Sequence, residues 1–402
     1  MSEYTSRQVR LSRELFDLQQ ELVEKEGRLR RIEYELVHQE IPDSHRQLLL
    51  YGMVSYPILK RCYMEDCLDV RLDPYDEKFE LLAIYFPDVV PFMLLQGYKV
   101  VYGRKEMLVE ERKLRKEIKC IKQRTTDLLL RLYTLGTTIF IIYGPPASLK
   151  SLIVNALKRY LGDKKVISLS TGAALRKEIK KETPLGRIVK KYVQGGKLVP
   201  DEVILRIVKR YFIGELEEAY VSGYKPEDIV IIGDGIIRTP YQAGKLLPLL
   251  EGDKYCILNL LPERGIKELS KGRAICENCG KAWNEANIQG TITLTRREKR
   301  TYPQDLLEKL RREKYDLPPY LPQTGKCECG VNIVKDGKVI NVIRREDERN
   351  IDVRLKEFFR TFKGTFAGIK KHCKGIFTVI PNKGKRSVEE QARLIVKRVF
   401  KS

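Results

Sequence analysis

The residues best placed to do chemistry follow the apolar run Thr138–Tyr143: Gly144-Pro145-Pro146-Ala147-Ser148-Leu149-Lys150-Ser151. A β-branched and aromatic run without charge reads as a buried strand, and helical spacing begins again near Leu152. Strand, tight turn, Lys-Ser and helix is an arrangement for holding phosphate. Backbone N–H groups of the turn and of the helix N-terminus face an anion. Lys150 adds a mobile positive charge, and the hydroxyl of Ser151 can reach a Mg²⁺ ion. The turn departs from a glycine-rich one, because Ala147 and Leu149 stand where glycines supply conformational freedom. Sulfur makes a second set: Cys276-x-x-Cys279 and Cys327-x-Cys329, separated by residues 280–326. Two tight thiol pairs suit a structural four-cysteine zinc site; the alternative is a metal-free segment in which the thiols are small buried apolar groups. Cys62 and Cys67 are spaced wrongly for a zinc knuckle and read as ordinary thiols.

Positioning these residues falls to five apolar runs, Thr138–Tyr143, Val166–Ser170, Ile229–Gly233, Tyr255–Leu260 and Phe377–Ile380. Their continuous hydrophobicity, with helical patterns between them, predicts an α/β fold: a five-stranded parallel sheet with helices on both sides. Upstream, Leu11, Leu15, Leu18, Leu22, Lys25, Leu29, Ile32 and Leu36 recur at heptad spacing over 8–38. Met107, Leu114, Ile118, Ile121, Leu128 and Leu132 do so over 104–133. Each run predicts a long amphipathic, coiled-coil-type helix. Three arrangements stay open: an antiparallel hairpin, pairing with a partner chain or a second copy as a homodimer, or packing on the globular body. Between them, 41–103 reads as a small mixed module with a helical run His45–Lys60, an acidic loop Glu65–Asp76, an apolar stretch Leu81–Val90 and no legible chemistry.

The 402 residues are 43% hydrophobic, enough for a real core and too long for one ordinary domain, which excludes a wholly disordered chain. No run approaches a membrane span and Met1–Arg13 is polar, so neither a membrane segment nor a signal peptide is expected. Nine cysteines without a disulfide framework fit a reducing compartment, and the expected location is cytoplasmic. The net charge of +22 is uneven: residues 1–135 carry 23 basic and 23 acidic groups, so the excess lies in 136–402. That half is expected to meet polyanions, either phosphorylated small molecules or RNA. Arg296-Arg297-Glu298-Lys299-Arg300 and Arg311-Arg312-Glu313-Lys314 read as solvated helix faces. The alternative is an RNA contact in which nearby Tyr302 and Tyr315 stack on bases. Lys383–Arg386 forms a basic loop before a last helix, Ser387–Phe400.

Residues of about 136–402 resemble the adenylate kinases, P-loop nucleoside monophosphate kinases that in some members carry a zinc-bearing lid. After the phosphate loop come Ser170-Thr171-Gly172-Ala173-Ala174-Leu175-Arg176, then Gly195-Gly196-Lys197-Leu198-Val199-Pro200-Asp201-Glu202. Asp234-Gly235-Ile236-Ile237-Arg238-Thr239 with Gln242-Ala243 follows, and finally Gly272-Arg273 leading into Cys276. The resemblance implies a monophosphate-binding part at 170–205 and a lid at 272–345, with residues 1–135 as an added extension. It implies Thr171 beside the AMP base, Leu198 and Val199 lining the same side, and Gln242 on the adenine edge. Arg176 and Arg238 would fork onto the AMP phosphate, with Gly235 at the same nucleotide site. Gly144, Ser148, Leu149, Lys150 and Ser151 would surround the donor phosphates. Lys150, Arg238, Arg273 and Arg354 would serve as the catalytic cations, and Asp234 would order the water around Mg²⁺. ATP and AMP would be the substrates, with structural Zn²⁺ on Cys276, Cys279, Cys327 and Cys329.

The departures gather on the donor side. Ala147 and Leu149 replace glycines, Leu152 stands for Thr, Ala173 for Asp, and Leu269 stands where an Arg usually lies over the donor adenine. Arg344-Arg345-Glu346-Asp347 resembles the family's Arg-x-Asp-Asp, and Arg354 comes one residue sooner after it than usual. Two functions compete. One is an active Mg²⁺-dependent adenylate-kinase-type phosphotransferase, ATP + AMP = 2 ADP, with a coiled-coil extension. The other is a catalytically weak or inactive nucleotide-binding module acting as a scaffold in an RNA or protein assembly.

Overall fold

The two heptad-patterned segments form long helices, α1 (Glu3–His38) and α2 (Arg104–Thr134). Their periodic apolar residues are the ones withdrawn from water, Leu18 and Ile32 on α1 and Leu114, Ile118 and Ile121 on α2. Glu26 meets Lys122 at 2.7 Å, and Glu33, seven residues on, meets Arg115, seven residues back, at 2.7 Å. Of the arrangements the pattern left open, these helices take the antiparallel one. Lys25, the polar interruption of the heptad, is held by Glu117 at 2.7 Å, and that hydrogen bond raises its pKa.

This computed structural model describes residues 3–38, 104–194, 199–279, 282–343, 351–382 and 387–400. The expected module 41–103, Leu198, the 344–347 run and the basic loop 383–386 lie outside the described residues. The chain divides into two units, Met1–Leu11 with Asp127–Ser402, and Ser12–Thr126.

In the larger unit the apolar runs become β1 (Thr138–Tyr143), β2 (Lys165–Ser170), β3 (Ile229–Asp234), β4 (Asp253–Asn259) and β12 (Gly375–Val379). They form one parallel sheet in the order β12-β4-β1-β3-β2. Alternate residues feed opposite faces, and both faces are apolar, as covered parallel strands require. On β1, Phe140 and Ile142 join the layer of α3 (Lys150–Tyr160) and α12 (Val388–Phe400). Ile139, Ile141 and Tyr143 join the opposite core, which includes α6 (Asp201–Val221), α7 (Pro240–Leu246) and α11 (Ile351–His372). Helices α4 (Thr171–Lys180) and α5 (Pro184–Gln194) follow β2, and α8 (Glu263–Lys271) follows β4. Helix α3 begins two residues before the spacing predicts, because Leu149 itself makes the turn into it.

Between α8 and α11 lie short strands: β5 (Arg273–Cys276), β6 (Ala282–Asn284), β7 (Ile288–Gly290), β8 (Tyr315–Leu317), β9 (Val334–Lys335), β10 (Lys338–Val339) and β11 (Val342–Ile343). Strands β11-β5-β6 make an antiparallel sheet, and β7 pairs with β8. Helices α9 (Arg296–Thr301) and α10 (Gln304–Arg312) stand inside the β7–β8 connection. Their basic residues are exposed, in keeping with a solvated face, and Arg312 pairs with Glu308 at 3.5 Å. Tyr302 and Tyr315, offered as stacking platforms, are instead buried at 4% and 1% exposure. Tyr302 lies edge-on to Phe362 with ring centroids 4.9 Å apart. Aromatic rings at α10's margins gain more from the core than from water, which leaves only the arginines and lysines outside.

Candidate active site

Sheet register sets the site. Ile142 and Ser170 both lie level with Asp234, and Tyr143 lies level with Leu258, so the turns after β1, β2, β3 and β4 emerge along one edge. At the first turn, Ala147 (φ 56°) and Leu149 (φ 61°) are both left-handed. The backbone therefore takes the shape that glycines would give it, at a cost of about 1–2 kcal/mol for each side chain. Gly144 is required for another reason: a Cβ there would stand 2.2 Å from the carbonyl oxygen of Asn259. No side chain caps α3, and its first turn holds no acidic residue, so its N-terminal end presents positive potential toward the loop.

Inside the loop, the buried hydroxyl of Ser148 donates to Pro145 O at 2.8 Å and accepts from Asn259 Nδ2 at 3.2 Å. Its side chain thus braces the turn, while Ser151 is exposed. Lys150 Nζ reaches back along the loop, 3.4 Å from Gly144 O and 3.4 Å from Ser148 Oγ. Burial pushes its ammonium down to about 8; Asp234 pulls it back up, and Arg238, Arg354 and Arg273 push it further down. Three guanidiniums, from β3's turn, α11 and β5, and the Asp234 carboxylate thus act on one lysine. Such a cluster is built for a multiply charged anion.

A second cluster joins the turns after β2 and β3. Buried Thr171 donates to Gly235 O at 2.9 Å, and Arg238 Nε donates to the same carbonyl at 3.2 Å. Gly235 is left-handed (φ 61°), and a Cβ there would stand 3.5 Å from Arg238 Nη2. A Cβ on Gly172 would stand 3.2 Å from Arg176 Nη1, so both arginines lie close over glycine backbone. Gln242, 1% exposed, accepts from Arg238 N at 2.7 Å and donates to Asp201 Oδ1 at 2.8 Å. Asp201 also accepts from Thr239, whose hydroxyl caps α7. Val199 is half-buried against the same core. Sequence reasoning gave Asp201 no role, although it stands in the quoted segment 195–202. Asn259 carried no signal at all, since only the register of β4 brings it under the loop.

Cys276, Cys279, Cys327 and Cys329 come together with all four sulfurs within 4.8 Å, Cys276–Cys329 at 3.6 Å and Cys279–Cys327 at 3.4 Å. Tetrahedral zinc thiolates stand about 3.8 Å apart, so the set fits that ion. A hydrogen bond from the Val331 backbone, with help from Asn278 and neighbouring thiols, brings the Cys329 thiol down to about 6, into the thiolate form a metal takes. Trp283 packs beside this cluster, its ring 5.2 Å from that of Tyr320.

No family model matches the chain. It is 27% identical over 220 residues to a GTP:AMP phosphotransferase of Plasmodium falciparum, covering 54% of this chain and 78% of that protein. It is 35% identical over 153 residues to an adenylate kinase of Solanum tuberosum, covering 38% of this chain and 49% of that one. It is also 31% identical over 159 residues to an adenylate kinase of Clostridium botulinum, covering 37% and 67%. The chain thus spans about half the length of the potato relative and two thirds of the clostridial one. Sequence likeness of this extent, joined to the parallel sheet and the phosphate loop after its first strand, places the chain in the adenylate kinase family.

Proposed function

We propose that the protein is a phosphotransferase of the adenylate kinase type, ATP + AMP = 2 ADP. The observation that carries this reading is the convergence of Arg238, Arg273, Arg354 and Asp234 on Lys150 at the uncapped start of α3. An oxygen of the AMP phosphate attacks the terminal phosphorus of the triphosphate, the bond to the bridging oxygen breaks, and both products leave as ADP. In such a transfer the protein supplies position and charge. Arg176 and Arg238 hold the acceptor phosphate, Lys150 follows the moving phosphoryl group, and Arg273 and Arg354 neutralise its oxygens. Asp234 and Ser151 offer the hard oxygen donors that suit Mg²⁺, which when bound supplies charge neutralisation on the donor phosphates. Zinc on the four cysteines would staple the lid.

The expected result is ADP formation from ATP and AMP that falls about 10²–10³-fold in Lys150→Ala. Equal, background-level signals in both proteins would sink the reading. They would favour the second one, a weak or inactive nucleotide-binding scaffold, for which Leu269, buried in the core where an Arg usually lies over the donor adenine, is the supporting observation. We further propose residues 1–135 as an added extension, with α1 and α2 serving self-association or a partner protein, and a cytoplasmic location. Among the described residues, no helix is long and apolar enough to cross a membrane. An RNA partner would have to be met by the exposed basic side chains alone.

A further inference from the structure

Ser148 stands at the centre of the loop after β1. Ala147 (φ 56°) and Leu149 (φ 61°) are left-handed on either side of it, while Ser148 is not. Alternating handedness aims successive backbone N–H groups to one side, which makes a nest for an anion. Alanine and leucine do not choose that shape for themselves. The group that holds it is Asn259, whose Nδ2 donates to Ser148 O and, at 3.2 Å, to Ser148 Oγ. Asn259 is fully buried, and the other half of its amide, Oδ1, has no hydrogen-bond partner among the described residues. Leaving that oxygen unpaired costs stability, so the amide is there for what Nδ2 does. Asn259 is itself held on both sides. Its carbonyl oxygen lies against Gly144, where a Cβ would stand 2.2 Å away. Val379 of β12 lies level with it, and Leu260 N donates to Val379 O at 2.9 Å.

We propose that Asn259 is a positioning residue, which keeps the loop in its anion-holding shape by pinning the peptide between Ser148 and Leu149. The inference rests on the phosphotransferase reading only in taking loop 144–151 to hold phosphate. With α3 fixed behind it, Leu149 returns to negative φ by turning that peptide over. Turning it over carries Ser148 O away from Asn259 and breaks the bond. In a trans peptide the N–H points opposite to the C=O, so pinning Ser148 O also aims the N–H of Leu149 away from Asn259. The bond to the hydroxyl adds direction. Asn259 Nδ2 and Lys150 Nζ can only donate, so Ser148 Oγ accepts from both and its own proton goes to Pro145 O at 2.8 Å. Lys150 is thereby moored on the loop that Asn259 holds.

The test is calorimetric binding of inorganic tripolyphosphate to the full chain, with transfer from ATP to AMP measured alongside. Asn259→Leu keeps the bulk and removes the donor, and affinity should fall about tenfold. Adding Leu149→Gly to that variant removes the gain from turning the peptide over, and affinity should return to within about threefold of the wild type. An amide that merely supports the fold would lose the same affinity with or without Leu149→Gly, and that result overturns the proposal. So does wild-type affinity in Asn259→Leu, or no binding by the wild type itself. Should the branched methyls of Asn259→Leu prevent folding, Asn259→Ala removes the same donor from a smaller side chain. The same loss and recovery are expected there, and their absence overturns the proposal. Tripolyphosphate binding without transfer in the wild type would instead remove the phosphotransferase reading and leave the role of Asn259 standing.

Discussion

At the scale of the residue, Leu149 is the most informative side chain in the loop. It stands where glycine is usual, yet its φ of 61° is the angle glycine would adopt. The backbone is thus not barred from the phosphate-holding shape; the side chain is carried at a cost in strain. Leu149→Gly relieves about 1–2 kcal/mol of that strain and adds about 0.5–1 kcal/mol of unfolded-chain entropy. Stability should therefore rise by between zero and about 1.5 kcal/mol, with turnover little changed. A sharp rise in turnover would show instead that the leucine limits the chemistry. Lys150 makes a second residue-level prediction. Its pKa is lowered to about 8 from 10.5, so the charged form is disfavoured in the fold. That penalty on stability is fully present below about pH 8 and fades as pH rises toward 10.5. Anion binding runs the other way, because it needs the charge. Tripolyphosphate affinity should fall by up to about tenfold per pH unit above pH 8 and show proton uptake in buffers of differing ionisation heat. Lys150→Met should lose that part of the pH dependence.

At the scale of the element, the segment between α8 and α11 is held by two unlike devices. Near its base, four sulfurs gather among short strands too small to hold themselves together. Farther along, α9 and α10 dock through Tyr302, Leu306, Leu307 and Leu310, and through the buried carboxylate of Glu298, whose pKa burial raises. Metal removal should therefore loosen the first part and spare the second. We expect about one zinc per chain, released by a strong chelator, with hydrogen exchange rising over β5, β6 and β11 but not over α9 and α10. Protection that is unchanged throughout would mean that the thiols hold the lid without metal.

At the scale of the whole molecule, the first residues of the chain belong to the unit that carries the candidate site. Arg7 pairs with Glu251, whose side chain is only 8% exposed and which also pairs with Arg131 at 2.9 Å. Tyr4 lies against Gly136, where a Cβ would stand 2.9 Å from its ring. A break near residue 136 would therefore cut through a packed unit, since Gly136 and Glu251 rest on residues over a hundred positions earlier. Arg7→Ala leaves a largely buried carboxylate with one partner fewer, at a cost of about 1–2 kcal/mol. The melting temperature of this unit should drop by about 2–6 °C, with the nucleotide affinity unchanged; no shift would mean that Arg131 alone satisfies Glu251.

Much of this was legible in order along the chain. Five apolar runs without charge determine a covered parallel sheet, because strands buried on both faces leave no room for alternation. The loop, both arginine-bearing turns and the two cysteine pairs are local patterns whose chemistry depends on neighbours a few residues away. Heptad spacing determined that α1 and α2 are amphipathic helices but not their partner; their antiparallel pairing rests on contacts such as Lys25–Glu117, which no spacing encodes. Tyr302 and Tyr315 beside arginines read the same whether they face water or core, and only the packing of α9 and α10 turned them inward. Asn259 under the loop and Asp201 behind Gln242 join residues far apart in sequence. Tertiary structure alone decided them, because register and docking are set by the burial of the whole unit rather than by any local preference.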